Sequence, residues 1–281
     1  MPNTKLTRER LSNHLHYGKM FYLVICIVVG MLADVLFTVT AYRAPDERKV
    51  DIELVGIYAN IEDVDALQQD AVEYGQAFEL ARDEAAGVDV NAEDYELPLQ
   101  EVNFIQMMYD PNGEDAYYDQ QRYMVTLAAN EGDIFCVSRD MLSGLIYEGL
   151  TADLTPYIES GVIRPGDCDL SRVTFAEWVD EGQPATGKQC VYALPMESLG
   201  GLWNEFEYYN TDKYMVLMVY SDNQDTSAAI MQWMFDTFEE PQIINGQTVE
   251  PTEKPTATPA PTEEPAATAA PEATAEKGTN E

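Results

Sequence analysis

Beyond Arg43 the sequence contains no histidine; both of its histidines, His14 and His16, precede that point. This absence excludes histidine-based triads, imidazole general bases and histidine-ligated metals from the larger part of the chain. Cysteine is scarce too, with four in 281 residues and no C-x-x-C spacing, so thiolate metal sites and dithiol redox motifs are excluded. Basic residues are few. Of 50 acidic and 16 basic residues, Glu9, Asp34, Lys5, Arg8, Arg10 and Lys19 precede Arg43, leaving 48 acids and 12 bases from there on. So acidic a surface repels nucleic-acid phosphates and anionic lipid heads, which removes both as partners.

What the chain does have is one long apolar run. Met20 to Ala33 is uninterrupted, and Val35 to Tyr42 continues it after Asp34. The 20–42 segment is long enough to span a hydrocarbon layer of about 30 Å as a helix. The basic residues of segment 1–19 place that end in the cytoplasm and everything after the run outside it. A signal peptide ending near Val39-Thr40-Ala41 is the competing reading. The length of the leading segment and the apolar continuation favour an uncleaved single-pass anchor. Asp34 costs about 2.5–3.5 kcal/mol at mid-membrane, an amount its Leu, Val and Phe neighbours offset.

At the other end, residues 247–281 turn to Pro, Thr, Ala and Glu, with almost no large apolar side chains. A segment of that composition cannot offset the entropy of ordering and is expected to be a disordered spacer. The folded region is thus expected within 43–246.

There, strand and helix patterns alternate. Val50 to Tyr58 reads as a strand, followed by a helix that Asn60 would cap, with its apolar stripe at Leu67, Ala71, Tyr74, Phe78 and Ala81. Val102 to Tyr109 is a second strand, and a helix bearing Tyr117, Met124, Leu127 and Ala128 runs to Gly132. Asp133 to Ser138 is a third strand, with Cys136 as a buried thiol, followed by a helix with Met141, Leu142, Leu145 and Ile146 that ends at Gly149. Thr155-Pro156 starts another helix. Cys190 to Met196 and Lys213 to Ser221 read as strands, and Thr226 to Phe238 as a closing helix around Ile230, Trp233 and Met234. The alternation predicts an α/β fold, a mostly parallel sheet flanked by helices.

Two stretches, Asp133-Ile-Phe-Cys-Val-Ser138 and Gly149-Leu-Thr-Ala-Asp-Leu-Thr-Pro-Tyr-Ile158, resemble the extracellular solute-binding proteins of ABC importers, the type II periplasmic-binding fold. Tyr192-Ala-Leu-Pro-Met196 is similar to that family's hinge strand, and Lys213 to Phe238, with Ala228, Ala229 and Trp233 facing inward, to its late strand and helix. The resemblance implies this fold, although the chain has room for about one of the family's two lobes and its apolar anchor departs from the lipid-anchored or soluble pattern of many members. It also implies binding of a small solute such as a sugar or peptide, and a membrane protein as partner. Nothing in the residues calls for a cofactor or a metal. An enzyme would have to work with carboxylates alone; acids this abundant meet by chance, so no catalytic role is expected. The competing expectation is a structural or protein-interaction component of the cell envelope.

Ligands of open α/β sheets bind outside the carboxyl ends of the strands. The residues expected there are Tyr58, Asn60, Tyr109, Ser138, Arg139, Asp140 and Glu197. Ser138-Arg139-Asp140 is the best constellation, a hydroxyl, a guanidinium and a carboxylate at a strand-to-helix junction; helix capping by Ser138 or Asp140 is the plainer role. Trp203 and Tyr208-Tyr209 are either stacking platforms or core. Asp110 to Asp115 fails the EF-hand spacing and reads as an acidic turn. Cys168 and Cys190 are a possible disulfide, for roughly 3 kcal/mol on the loop-entropy model.

Overall fold

A computed structural model describes residues 8–40, 44–62, 64–92, 95, 98–166, 168–179, 186–244 and 247–249. The chain begins with helix α1 (Arg8–Thr40), whose Gly18–Thr40 stretch of 23 residues is long and apolar enough to cross a membrane. A signal sequence would pass the same test.

The domain then alternates β1 (Lys49–Gly56), α2 (Asp65–Ala85), β2 (Glu101–Met108), α3 (Ala116–Ala128), β3 (Ile134–Ser138) and α4 (Arg139–Tyr147). A short helix α5 (Thr155–Glu159) leads to the hairpin β4 (Thr174–Ala176) and β5 (Gln189–Val191). The chain returns through β6 (Leu194–Pro195), α6 (Gly201–Phe206), β7 (Lys213–Leu217) and α7 (Gln224–Phe238), and continues into a hairpin of β8 (Gln242–Ile244) and β9 (Gln247–Val249).

Five strands form the main sheet in the order β2-β1-β3-β7-β6. β1 pairs in parallel with β2 and β3, whereas β7 is antiparallel to both β3 and β6. The sheet is therefore α/β and mixed, mostly parallel.

Helices cover both faces, which dictates two cores. One lies between the sheet and α2, α6 and α7, around Ile52, Leu54, Phe104, Met215, Phe206 and Trp233. The other joins Val55, Phe135, Val137 and Val216 to Tyr123 and Leu127 of α3 and Leu142 and Leu145 of α4. Each such fully buried apolar side chain contributes about 1.5–3 kcal/mol. α7 is buried on nearly every side from Thr226 to Phe235, as a helix apolar all round must be.

Gly75 sets how closely α2 can approach. A Cβ there would lie 2.3 Å from Leu99 Cδ2 and 3.2 Å from Ile230 Cδ1, and both of those side chains are fully buried. Gly75→Ala gains about 1 kcal/mol of helix propensity but forces an overpacking cost of roughly 1–3 kcal/mol. We expect a net loss near 1 kcal/mol, read as a lower urea midpoint.

Several sequence expectations are corrected. Asn60 does not cap α2, which starts five residues later with Val64 at the cap position; its Oδ1 instead accepts from the Glu62 amide at 3.2 Å, closing a turn. In the predicted stripe, Ala71 is buried, Leu67, Tyr74 and Phe78 are half-buried and Ala81 is exposed; Val72, Gly75 and Glu79 complete the inner face. α3 ends at Ala128, with Asn130 at φ 55° making the turn that Gly132 was expected to make. Thr155 is the first residue of α5, and its hydroxyl accepts from the Val191 amide. Cys190 to Met196 is two strands in two sheets, because the chain leaves the hairpin at Val191 before joining β7 at Leu194. Cys168 and Cys190 both carry thiols rather than a disulfide, and the buried Cys190 lies against Asp153. Gln247–Val249 pair with β8 instead of belonging to the spacer. Residues 250–281, which hold the rest of that predicted spacer, lie outside the described residues, as do 1–7 and 41–43.

Candidate functional site

With the order β2-β1-β3, the connection from β1 goes one way to β2 and the chain then returns past β1 to β3. In sheets of this kind the crevice outside the carboxyl ends of the two strands flanking the reversal is the ligand site. Here those ends are Val55-Gly56 of β1 and Val137-Ser138 of β3. Because β7 runs antiparallel to β3, its first residue, Lys213, arrives at the same rim, in register with Ser138.

Lys213 and Tyr208 fill the floor of this rim. The Tyr208 hydroxyl lies 2.9 Å from both the Val55 and Cys136 carbonyl oxygens, tying the ends of β1 and β3 together from a fully buried position. The Lys213 ammonium donates to the same Val55 oxygen at 2.5 Å and stands 5.4 Å from the centre of the Tyr208 ring. Gly56 leaves room for both: a Cβ there would meet the Tyr208 ring at 3.2 Å and Lys213 Nζ at 3.4 Å. Burial lowers the Lys213 pKa below its ordinary value, against weaker raising influences from Cys136 and Asp212. Burial pushes the Cys136 thiol up to about 12, so it stays protonated and unreactive, as expected of a core cysteine.

The residues predicted from sequence divide around this floor. Ser138 shares the rim with Lys213, at the cap position of α4, yet its hydroxyl makes no capping bond. Arg139 and Asp140 follow it, exposed, in the first turn of α4. Tyr58 is 52 % exposed beyond β1, while the Asn60 amide is held by the Phe206 carbonyl at 2.6 Å. Tyr109 is separated from Lys213: its ring packs edge-on against Tyr123, on the α3–α4 side of the sheet. Glu197 is engaged by Arg172 at 2.6 Å, and Arg172 also reaches Asp212 at 3.4 Å and the Tyr214 hydroxyl at 2.8 Å. Of the aromatic trio, Tyr208 is core with a polar handle, whereas Trp203 and the exposed Tyr209 lie 4.4 Å apart, centroid to centroid, at the surface.

Lys213 and Arg172 were not singled out in the sequence, and Tyr208 only as a stacking platform or a core residue. A signal for Lys213 existed: it is a rare base placed where a strand begins, in an acidic domain. Its arrival at the carboxyl rim depends on the reversal of β7, which pattern alone does not fix.

Two open clefts lie elsewhere, at the start of α7, of about 490 and 410 Å³. Phe78, Pro156, Tyr157 and Val162 line the larger and Glu79, Asn223 and Thr226 the smaller; Arg82 and Asp225 border both. Several of their polar groups are already engaged within the protein. The Tyr157 hydroxyl donates to Asp225, the Thr226 hydroxyl and the Leu99 amide donate to Glu79, and Arg82 pairs with Asp225 at 3.8 Å. The carboxyl rim, by contrast, keeps polar groups to spare. Among the described residues no group of three potential metal ligands is assembled.

No protein-family model matches the chain, and no curated protein matches it in sequence.

Proposed function

We propose that the protein is a membrane-tethered, extracytoplasmic binding module, related to the solute-binding proteins of ABC importers, that takes a small solute at the carboxyl rim of β1 and β3. The observation that carries this reading is that Lys213 meets Ser138 in register, with Arg139 next in the chain, beside the point where the strand order reverses. α1 supports the tether, with the basic residues at the start of the chain holding that end in the cytoplasm. In this reading α2, α6 and α7 on one face, and α3 and α4 on the other, form a single lobe around the sheet. No catalytic step is part of it.

The test is a thermal-shift screen of the full chain in detergent against sugars, short peptides, amino acids and small organic acids. A true ligand at a hundred times its dissociation constant should add about 2.7 kcal/mol of stability. A flat response across all classes would sink the solute-binding reading.

One observation favours a second reading, a protein-contact role in the cell envelope. α3 presents Tyr117, Tyr118 and Val125 outward, each about two-thirds exposed. Exposed aromatic residues grouped on one short helix are the composition of an interface core. Cross-linking through a cysteine placed at Gln121, between them, would report such a contact.

A further inference from the structure

We infer that the carboxyl rim takes an anionic oxygen group, a carboxylate or phosphate carried by a small solute, on the Lys213 ammonium, with the Ser138 hydroxyl and Arg139 beside it. The inference rests on the reading of this rim as the ligand site and goes further by assigning the ligand's charge.

Lys213 stands out as a half-buried base without a carboxylate. Among the domain's bases, Lys49, Arg82, Arg164, Arg172 and Lys188 each have a carboxylate partner, and Arg122 and Arg139, which have none described, are exposed. With acids outnumbering bases four to one beyond Arg43, a basic side chain meets a carboxylate unless the fold keeps it away. Around Lys213 the fold does so. Its ammonium faces a backbone carbonyl and the face of an aromatic ring, and no described carboxylate lies within ion-pair distance of it. The acid next to it in sequence, Asp212, has φ 53° and directs its carboxylate to Arg172 and to the Tyr214 hydroxyl at 3.1 Å. An ammonium has three N–H donors and Val55 uses one, so two remain for a ligand.

The neighbours suit the same chemistry. Ser138 is the register partner of Lys213, so the two side chains emerge on the same face of the sheet. Its hydroxyl is not used for capping, which leaves it able to donate. Arg139 follows Ser138 in the first turn of α4, exposed and with no described carboxylate partner, so its charge adds to the positive field at this strand end. The first turn of α4, free of a side-chain cap, directs its amide dipoles toward the rim and adds to the attraction for negative charge. A partly desolvated ammonium holding only neutral partners gains most from an anion, because a charge-assisted hydrogen bond is about twice as strong as a neutral one.

The test is calorimetric titration of the full chain in detergent, using succinate, inorganic phosphate and glucose as probes, with Lys213→Met, Lys213→Arg and Arg139→Gln as variants. We expect succinate or phosphate to bind and glucose not to. Lys213→Met should weaken the anion by about 10- to 100-fold, and Lys213→Arg should keep part of the affinity. The stronger of the two anions names the head group. Far-UV circular dichroism checks that each variant is folded; should Lys213→Met not fold, Arg139→Gln, Lys213→Arg and the anion preference of the unaltered protein still decide the matter. Anion binding indifferent to all three variants, or glucose binding with both anions silent, would overturn the inference. In the glucose case the rim would survive as a solute site with a different ligand, whereas silence from every class in the wider screen would remove the rim reading itself.

Discussion

Replacing Glu53 by glutamine is expected to raise stability above neutral pH by as much as about 3 kcal/mol. Glu53 lies mid-way along β1, 4 % exposed, and its Oε2 has no hydrogen-bond partner among the described groups. Burial, reinforced by Asp51 and Glu131 and only partly opposed by Arg122, pushes its carboxyl up to about 7. The folded protein therefore holds this proton to a higher pH than the unfolded chain, whose carboxyl titrates near 4.5. In that window the native state binds more protons, so stability falls as pH rises from about 4.5 to about 7, and the full penalty remains above it. Glutamine has the same shape and no charge to desolvate. Urea midpoints of the two proteins should lie close together near the lower limit and separate progressively up to the higher. Parallel curves would mean that Glu53 is compensated by a group not acting on it here.

Phe206→Ala should cost about 4 kcal/mol. Phe206 is fully buried, with ring centroids 4.8 Å from Phe104 and 5.7 Å from Phe238, and Phe238 in turn meets Trp233 edge-on at 5.7 Å. Truncation empties the centre of this aromatic row, and α6 loses its main hold on the sheet. The effect should reach the rim as well. Glu207, at φ 52°, turns the chain directly from α6 into Tyr208, whose hydroxyl braces the ends of β1 and β3. Chemical denaturation should report the lost stability. Faster hydrogen exchange at Asn60, whose amide is held by the Phe206 carbonyl, should report the loosened rim.

Glu53 also marks how far the sequence could be read. The strand at Val50-Asp51-Ile52-Glu53-Leu54 alternates apolar with acidic, a pattern that ordinarily places one face in water. The strand is there, but both faces are buried, because β1 is central between β2 and β3 and helices cover both sides. The α/β class, the first three strands and α7 were legible because each rests on local periodicity of long segments. β4 and α6 were not, and β5 and β6 were read as one strand; each is too short for a period to emerge and is held by contacts distant in sequence. Candidate residues followed the same division. Ser138 and Arg139 were singled out because they follow a strand directly. Lys213 precedes one, and only the antiparallel course of β7 brings it to the same rim.

The central place of β1 has a mechanical consequence. The strand follows the N-terminal helix after a short connection, and it pairs along its whole length with β2, from Lys49 opposite Glu101 to Gly56 opposite Met108, with β3 on its other side. A load applied between the helix and something gripped at the rim runs along the axis of β1. Such a load shears its two ladders, so their hydrogen bonds must yield together rather than peel apart one at a time.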